Sequence, residues 1–252
     1  MQCVRCAGYD ILYTEGEGAM TFEKYYNEIY AVVLLKYFWK DYADDFYKAE
    51  SPDWVSPSLG LGMEVSQALL QQDGEAKKFI DTYLGERRDR LPQSAWERYG
   101  DAMYFYNDRL WGLHIPDEKS RREGYVYRAV YRFQKKLGKL NRNYSDHAVN
   151  GLFLFLHTDH PDLQTAQRIA AQMAALQKNR AETFRYVFMD CERVLYVADL
   201  HRDAVEAIDI PEDARALMQR QTEQLRQGTE WPNGAIFAQK YAALFGENAK
   251  KS

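Results

Sequence analysis

Residues 52 to 67 read Pro52-Asp53-Trp54-Val55-Ser56-Pro57-Ser58-Leu59-Gly60-Leu61-Gly62-Met63-Glu64-Val65-Ser66-Gln67. Two short apolar runs, 53 to 56 and 61 to 66, flank a Pro/Ser/Gly stretch, which is the pattern of two strands joined by a turn. Each run carries one carboxylate, Asp53 or Glu64, so the turn brings the two acids close together. Desolvating a carboxylate is costly unless a partner or a cation compensates. Paired acids on neighbouring strands therefore suggest a divalent metal, and hard oxygen ligands suit Mg2+ or Mn2+. Such an ion activates water against a phosphodiester and stabilises the charge that develops. The plainer alternative is a hairpin whose acids face solvent.

The flanking segments give this hairpin an α/β setting. Thr21 can cap a helix that runs to about Trp39, with Phe22, Tyr26, Ile29, Val33 and Tyr37 at helical spacing. From Ile29 to Leu35 this helix is apolar almost all round, which predicts burial on more than one face. Phe46-Tyr47-Lys48 fits a short edge strand. Farther on, Val126, Val130, Phe133, Leu137 and Leu140 form an apolar stripe over 124 to 141, opposed by Arg128, Arg132, Lys135, Lys139 and Arg142. This is an amphipathic helix with one packed and one cationic face, and Lys136 projects from the flank between them. The run Gly151-Leu152-Phe153-Leu154-Phe155-Leu156 that follows has the continuous apolar character of a buried strand, so the helix is a crossover onto the sheet.

Pro52-Asp53, ten intervening residues and then Glu64-Val65-Ser66 resemble the PD-(D/E)XK nuclease superfamily, the restriction-endonuclease-like fold. Ser66 stands where that family usually has lysine. The segment Lys135-Lys136-Leu137-Gly138-Lys139-Leu140-Asn141 with the strand after it is similar to a divergent bacterial branch of the same superfamily. The resemblance covers about residues 21 to 157, apart from 84 to 122. It implies a nuclease in which Asp53, Glu64 and the Val65 carbonyl hold Mg2+ or Mn2+. It also implies a glutamate of the preceding helix near the metal, Glu23 or Glu28, although for either one a solvated helical acid is the reading that the sequence favours. The family lysine orients or deprotonates the attacking water and stabilises developing charge, which a neutral Ser66 cannot do alone. Lys136 is the first substitute and Lys36 the reserve, while Gln67 can at most position a water. The contrasting function is a non-catalytic binding or scaffold module on the same body.

The formal net charge is only −4, but nine Lys/Arg and a single acid, Glu123, lie between Lys119 and Arg142. A basic segment on an acidic body is compatible with one surface facing nucleic acid, DNA ahead of RNA. Arg128, Arg132, Lys135 and Lys139 are its candidate phosphate contacts; the alternative is a solvated helix face. No run approaches the ~18 apolar residues of a membrane span, and the polar N-terminus lacks a signal-peptide core, so a cytoplasmic protein is expected. Three cysteines argue against a disulfide framework. Gly-x-Ser-x-Gly, phosphate-loop and His-Glu-x-x-His patterns do not occur.

Cys3-Val4-Arg5-Cys6 has the spacing of half a zinc site, which nothing else completes, so residues 1 to 20 are expected to be a disordered, dispensable leader. The stretch His157-Thr158-Asp159-His160-Pro161-Asp162 holds metal-ligand residue types, but its place before a helix makes capping and turning the ordinary use. Tyr104 to Leu113 fits either a strand or a helix. Helices are expected over 162 to 179, 211 to 226 and 234 to 245, with a hairpin over 184 to 198. The fold class expected is α/β: a restriction-endonuclease-like mixed sheet flanked by helices, with a helical insertion at 84 to 122 inside a single domain of 21 to 252, and C-terminal helices.

Overall fold

The computed structural model describes residues 3–6, 9–12, 18–68, 78–113, 118–143, 147–156, 162–191, 193–227 and 234–245. In chain order the first elements are β1 (Cys3–Cys6), β2 (Tyr9–Leu12), α1 (Gly18–Phe38), β3 (Tyr47–Lys48), β4 (Trp54–Ser56) and β5 (Leu61–Gln67). Then come α2 (78–83), α3 (Gln93–Tyr99), β6 (Met103–Tyr106), β7 (Arg109–Leu113), α4 (Glu118–Asn143) and β8 (Val149–Phe155). The last are α5 (Leu163–Gln177), β9 (Tyr186–Cys191), β10 (Val194–Asp199), β11 (Ala204–Asp209), α6 (Glu212–Arg226) and α7 (Gly234–Phe245). Among the described residues no helix is long and apolar enough to cross a membrane.

The chain divides into two compact units, residues 21–68 with 125–252, and residues 1–20 with 69–124. The sequence reading differs on both counts: it has one domain from residue 21 and a disordered leader before it. β1 and β2 instead pair antiparallel, Cys3 opposite Leu12 and Cys6 opposite Tyr9. β1 lies beside β7 of the same unit. Nor is the insertion purely helical. β6 and β7 form a hairpin whose turn residues Asn107 and Asp108 have φ of 48° and 61°, the left-handed pair that a two-residue turn requires. Its buried side includes Met103, Leu110 and Leu113, which pack with Phe79, Ile80, Leu91 and Ala95.

The larger unit holds a seven-stranded mixed sheet in the order β11-β10-β9-β8-β5-β4-β3. β4 is antiparallel to both β3 and β5, and β8 runs parallel to β5 after the α4 crossover, with Glu64 opposite Leu152 and Ser66 opposite Leu154. The turn between β4 and β5 closes by a bond from the Gly60 amide to the Pro57 carbonyl, with Gly60 at φ 57°. Asp45 ties this turn down, accepting from Ser56 Oγ at 2.5 Å and from the Ser58 amide at 2.7 Å.

Period-two alternation sorts the strands between two cores. Leu61, Met63, Val65, Phe153 and Phe155 pack with α1, α6 and α7, where Ile29 to Leu35 are all buried and Phe237, Tyr241 and Phe245 of α7 join them. Leu152 and Leu154 pack on the other face with Val126, Phe133, Leu137 and Leu140 of α4 and with α5. Glu64 and Ser66 lie on that second face by the same alternation. The seventh strand, β11, is an addition to the expected sheet. Its exposed edge needs few apolar residues, and its turn from β10 is held by Asp199 Oδ1, which accepts from the His201 and Arg202 amides at 3.1 and 3.2 Å.

Candidate functional site

Asp53 sits just before β4 and is buried. Its Oδ2 accepts the Val65 amide of β5 at 2.8 Å, so the backbone of one strand fixes the carboxylate at the end of its neighbour. The other oxygen, Oδ1, faces the Lys48 ammonium at 3.5 Å. Lys48 belongs to the edge strand β3, where alternation turns Tyr47 outward and sends the Lys48 side chain inward, to 6% exposure. Its ammonium lies 3.1 Å from Glu28 Oε2 and 5.8 Å from the centre of the Trp54 ring. Trp54 Nε1 donates to the Glu28 backbone carbonyl at 2.9 Å, which ties α1 to β4.

Glu28 is therefore a buried acid, 2% exposed, where the sequence favours a solvated one. Burial, and after it the charge of Asp53, push its carboxyl up to about 7, against the pull of Lys48 and Lys24. The Lys24 ammonium is 3.5 Å from Oε1 at the solvent side. Glu23 shares the helix, but its side chain lies outside the described residues.

On the other face of β5, Glu64 accepts a hydrogen bond at Oε1 from Lys136 Nζ of α4. Both side chains are largely buried, at 11% and 15% exposure. Ser66, two residues along the same strand, is half-buried, as is Gln67 at the strand end. The reserve cation, Lys36, is committed elsewhere: it pairs with Asp44 and lies over the Tyr42, Tyr241 and Phe245 rings at 5.7, 5.6 and 5.1 Å. It is removed as a substitute for the family lysine.

The expected cationic face of α4 is not uniform. Arg128 and Arg132 are half-buried, and Lys135 and Lys139 are exposed, with the Lys135 ammonium 5.4 Å from the Tyr131 ring centre. Arg128, Arg132 and Lys136 recur every four residues, so a row of cations runs along the helix to the Glu64 pair. Asp162 caps α5, accepting the Thr165 amide at 2.6 Å, which is the ordinary use expected of its segment. Residues 157 to 161 lie outside the described residues, and Cys3 and Cys6 are the two ends of β1.

Lys48 went unassigned in the sequence because a lysine on an edge strand is normally a solvated guard against strand addition. The signal available was its position two residues after Phe46, a core side chain. Among the described residues no group of three or more His, Cys, Asp or Glu has the spacing to hold a metal ion. Two carboxylates and a backbone carbonyl nonetheless suit Mg2+, which keeps several waters and needs only one or two protein acids. Asp53 has both oxygens engaged, one by the Val65 amide and the other by the Lys48 ammonium at 3.5 Å, and Glu64 is bonded to Lys136 on the other face of β5, so an ion shared by the two acids would have to displace these contacts. The chain matches no family model, no curated protein and no solved structure.

Proposed function

We propose that the chain is a metal-dependent nuclease of the PD-(D/E)XK kind, with a restriction-endonuclease-like core, hydrolysing phosphodiester bonds of nucleic acid. The observation that carries this reading is the hydrogen bond from Lys136 to Glu64, which brings a cation from α4 to the strand where the motif lacks its lysine. Further support comes from the element order. A helix with a buried acid, antiparallel strands with two more, a crossover helix and a parallel strand follow one another as the resemblance implies.

In this reading Asp53, Glu64 and the Val65 carbonyl hold Mg2+ or Mn2+. Bound there, the ion supplies positive charge against the scissile phosphate and lowers the pKa of a water. Lys136 orients that water and meets negative charge developing on the phosphoryl oxygens, with the Ser66 hydroxyl as a neutral hydrogen-bond partner. The water oxygen would form a new bond to phosphorus and give up one proton to solvent, the P–O bond to the ester oxygen would break, and that oxygen would take a proton from solvent, so that one water is consumed for each ester cleaved. Lys135 and Lys139, with Arg128 and Arg132 behind them, hold flanking phosphates.

The test is a nuclease assay on mixed DNA and RNA substrates, with and without Mg2+ or Mn2+, comparing the native chain with Asp53→Ala, Glu64→Ala and Lys136→Ala. Metal-dependent cleavage lost in all three variants is the expected result. A native chain that cuts nothing under any metal overturns it and leaves a non-catalytic binding module.

A further inference from the structure

The β6–β7 hairpin carries three large rings in the open: Tyr104 is 57%, Tyr106 58% and Trp111 43% exposed. They are three of the nine large apolar side chains exposed among the described residues, gathered on one hairpin whose other side packs as a core. Apolar surface concentrated in this way marks a place for a partner. We propose that the outer face of this hairpin binds single-stranded nucleic acid, with bases stacking on Tyr106 and Trp111 and backbone phosphates meeting Arg109 and Arg87. The inference rests on the nucleic-acid part of the nuclease reading and names the form of strand held; it uses nothing of the acidic centre.

Backbone pairing puts these groups on one face. Tyr106 is opposite Arg109 in the hairpin register, and Arg109 is opposite Arg87 in an antiparallel bridge. Directly opposed residues of antiparallel strands project to the same side, so a tyrosine and two arginines form a row across the hairpin and the segment beside it. Trp111 joins them, its ring centre 5.6 Å from that of Tyr106. The row is held by backbone bonds: the Gly85 amide donates to the Leu110 carbonyl and the Leu110 amide to the Glu86 carbonyl, each at 2.8 Å, and the Arg88 amide donates to the Asp108 carbonyl at 3.0 Å. Rings and cations held in place before binding lose little freedom on binding. On the opposite side of the hairpin, Trp96 and Phe105 stack at 5.6 Å beneath the Arg88 guanidinium, so those rings are used internally.

Charge decides the kind of partner. Arg109 Nη1 donates to the Gly85 carbonyl at 2.7 Å, and among the described residues its guanidinium pairs with no carboxylate. Arg87 lies 3.2 Å from Asp89 and 3.9 Å from Asp108, but all three side chains are more than half exposed, so these pairs are weak and a phosphate displaces them at small cost. Flat rings beside an uncompensated guanidinium suit a ligand that has both π-faces and negative charge, which is nucleic acid with unpaired bases. A duplex hides its base faces in its own stack and offers such a surface only phosphates.

The experiment is fluorescence anisotropy of the full chain in EDTA with labelled oligothymidine of ~12 nucleotides and with a duplex of the same length, for the native chain, Tyr106→Ala, Trp111→Ala and Arg109→Ala. Each ring variant is expected to lose about 5- to 100-fold in affinity for the single strand, with duplex affinity changed by no more than about twofold. Arg109→Ala is expected to flatten the salt dependence of single-strand binding by ~0.7. Trp111→Phe, which keeps a ring, should retain single-strand affinity but lose part of the tryptophan quenching that oligothymidine causes in the native chain, a change that purely electrostatic binding would not produce. A native chain that does not bind oligothymidine, unchanged single-strand affinity in both ring variants, or equal losses for the two substrates overturns the inference and leaves the nuclease reading to its own cleavage assay. Single-strand binding that depends on the rings, in a chain that cuts nothing under any metal, keeps the inference and ends the nuclease reading. Self-association of the native chain that Trp111→Ala abolishes would make the rings a protein contact and overturn the inference as well. If Trp111→Ala fails to fold, Tyr106→Ala and the quenching in Trp111→Phe still decide.

Discussion

Lys136 of α4 donates a hydrogen bond to the carboxylate of Glu64 on β5, across 72 residues of sequence. Both side chains are mostly withdrawn from water, at 11% and 15% exposure. Removing one partner of such a pair costs more than the pair contributes, because it leaves an uncompensated charge. Lys136→Met is therefore expected to lower unfolding free energy by ~1–3 kcal/mol in urea denaturation without metal. Added Mg2+ should restore part of that loss, since a cation again faces Glu64. An unchanged denaturation midpoint would mean that the pair is solvated and weak.

Glu28 makes stability depend on pH in a defined window. Its carboxyl is held up to about 7 in the folded chain, against an ordinary value of 4.5. The folded state thus binds a proton between those values that the unfolded state has released. Stability from this group is fully present below 4.5, falls as pH rises through the window and levels off above about 7. Glu28→Gln, which cannot titrate, should gain on the native chain by up to ~3 kcal/mol between pH 4.5 and 8, at ~1.4 kcal/mol per pKa unit. Urea denaturation of both chains at several pH values checks this. A constant difference across that range would place the Glu28 carboxyl near its ordinary value.

Gly62 is sterically committed to the β4–β5 hairpin. A Cβ there would lie 2.6 Å from His147 Cδ2 and 2.8 Å from Pro52 Cγ. Gly62→Ala is expected to destabilise the fold by ~1–3 kcal/mol, as overpacking does. Pairing it with His147→Ala should recover a large part of the loss in a double-mutant cycle. Strict additivity of the two changes would mean that the imidazole is not the obstacle.

Nucleic-acid affinity should divide along the exposure of the α4 cations. Reversing the exposed Lys135 and Lys139 to Glu is expected to lower affinity for all sequences alike and to flatten its salt dependence by ~0.9 for each phosphate no longer neutralised. The melting temperature of that variant should stay near the native value. Arg128→Glu and Arg132→Glu, at half-buried positions, should lower both affinity and stability. If fluorescence anisotropy at several salt concentrations shows no change for the lysine pair, that face is only a solvated surface.

What residues 52 to 67 determined by themselves was local: two runs, a turn and an acid in each. The same holds for α4 from 124 to 141, the buried strand at 151 to 156 and the all-round apolar α1, because periodicity and run length report which faces must leave water. Local pattern was weaker where elements are short or half-exposed. Hence β11, the β6–β7 hairpin and the paired strands at 3–6 and 9–12 went unread or were read as something else.

The site was legible only in part. Asp53 and Glu64 announced themselves as acids in apolar runs, and the flank position of Lys136 followed from the helical repeat. That Lys136 turns to Glu64, that Lys36 is spent on Asp44, and that Lys48 and Glu28 are buried together beside Asp53 was decided by tertiary structure alone. Charges find partners at distances of a few ångströms. Those distances depend on how α1 and α4 stack on opposite faces of one sheet and on which edge β3 joins it, and no spacing within a single element encodes that.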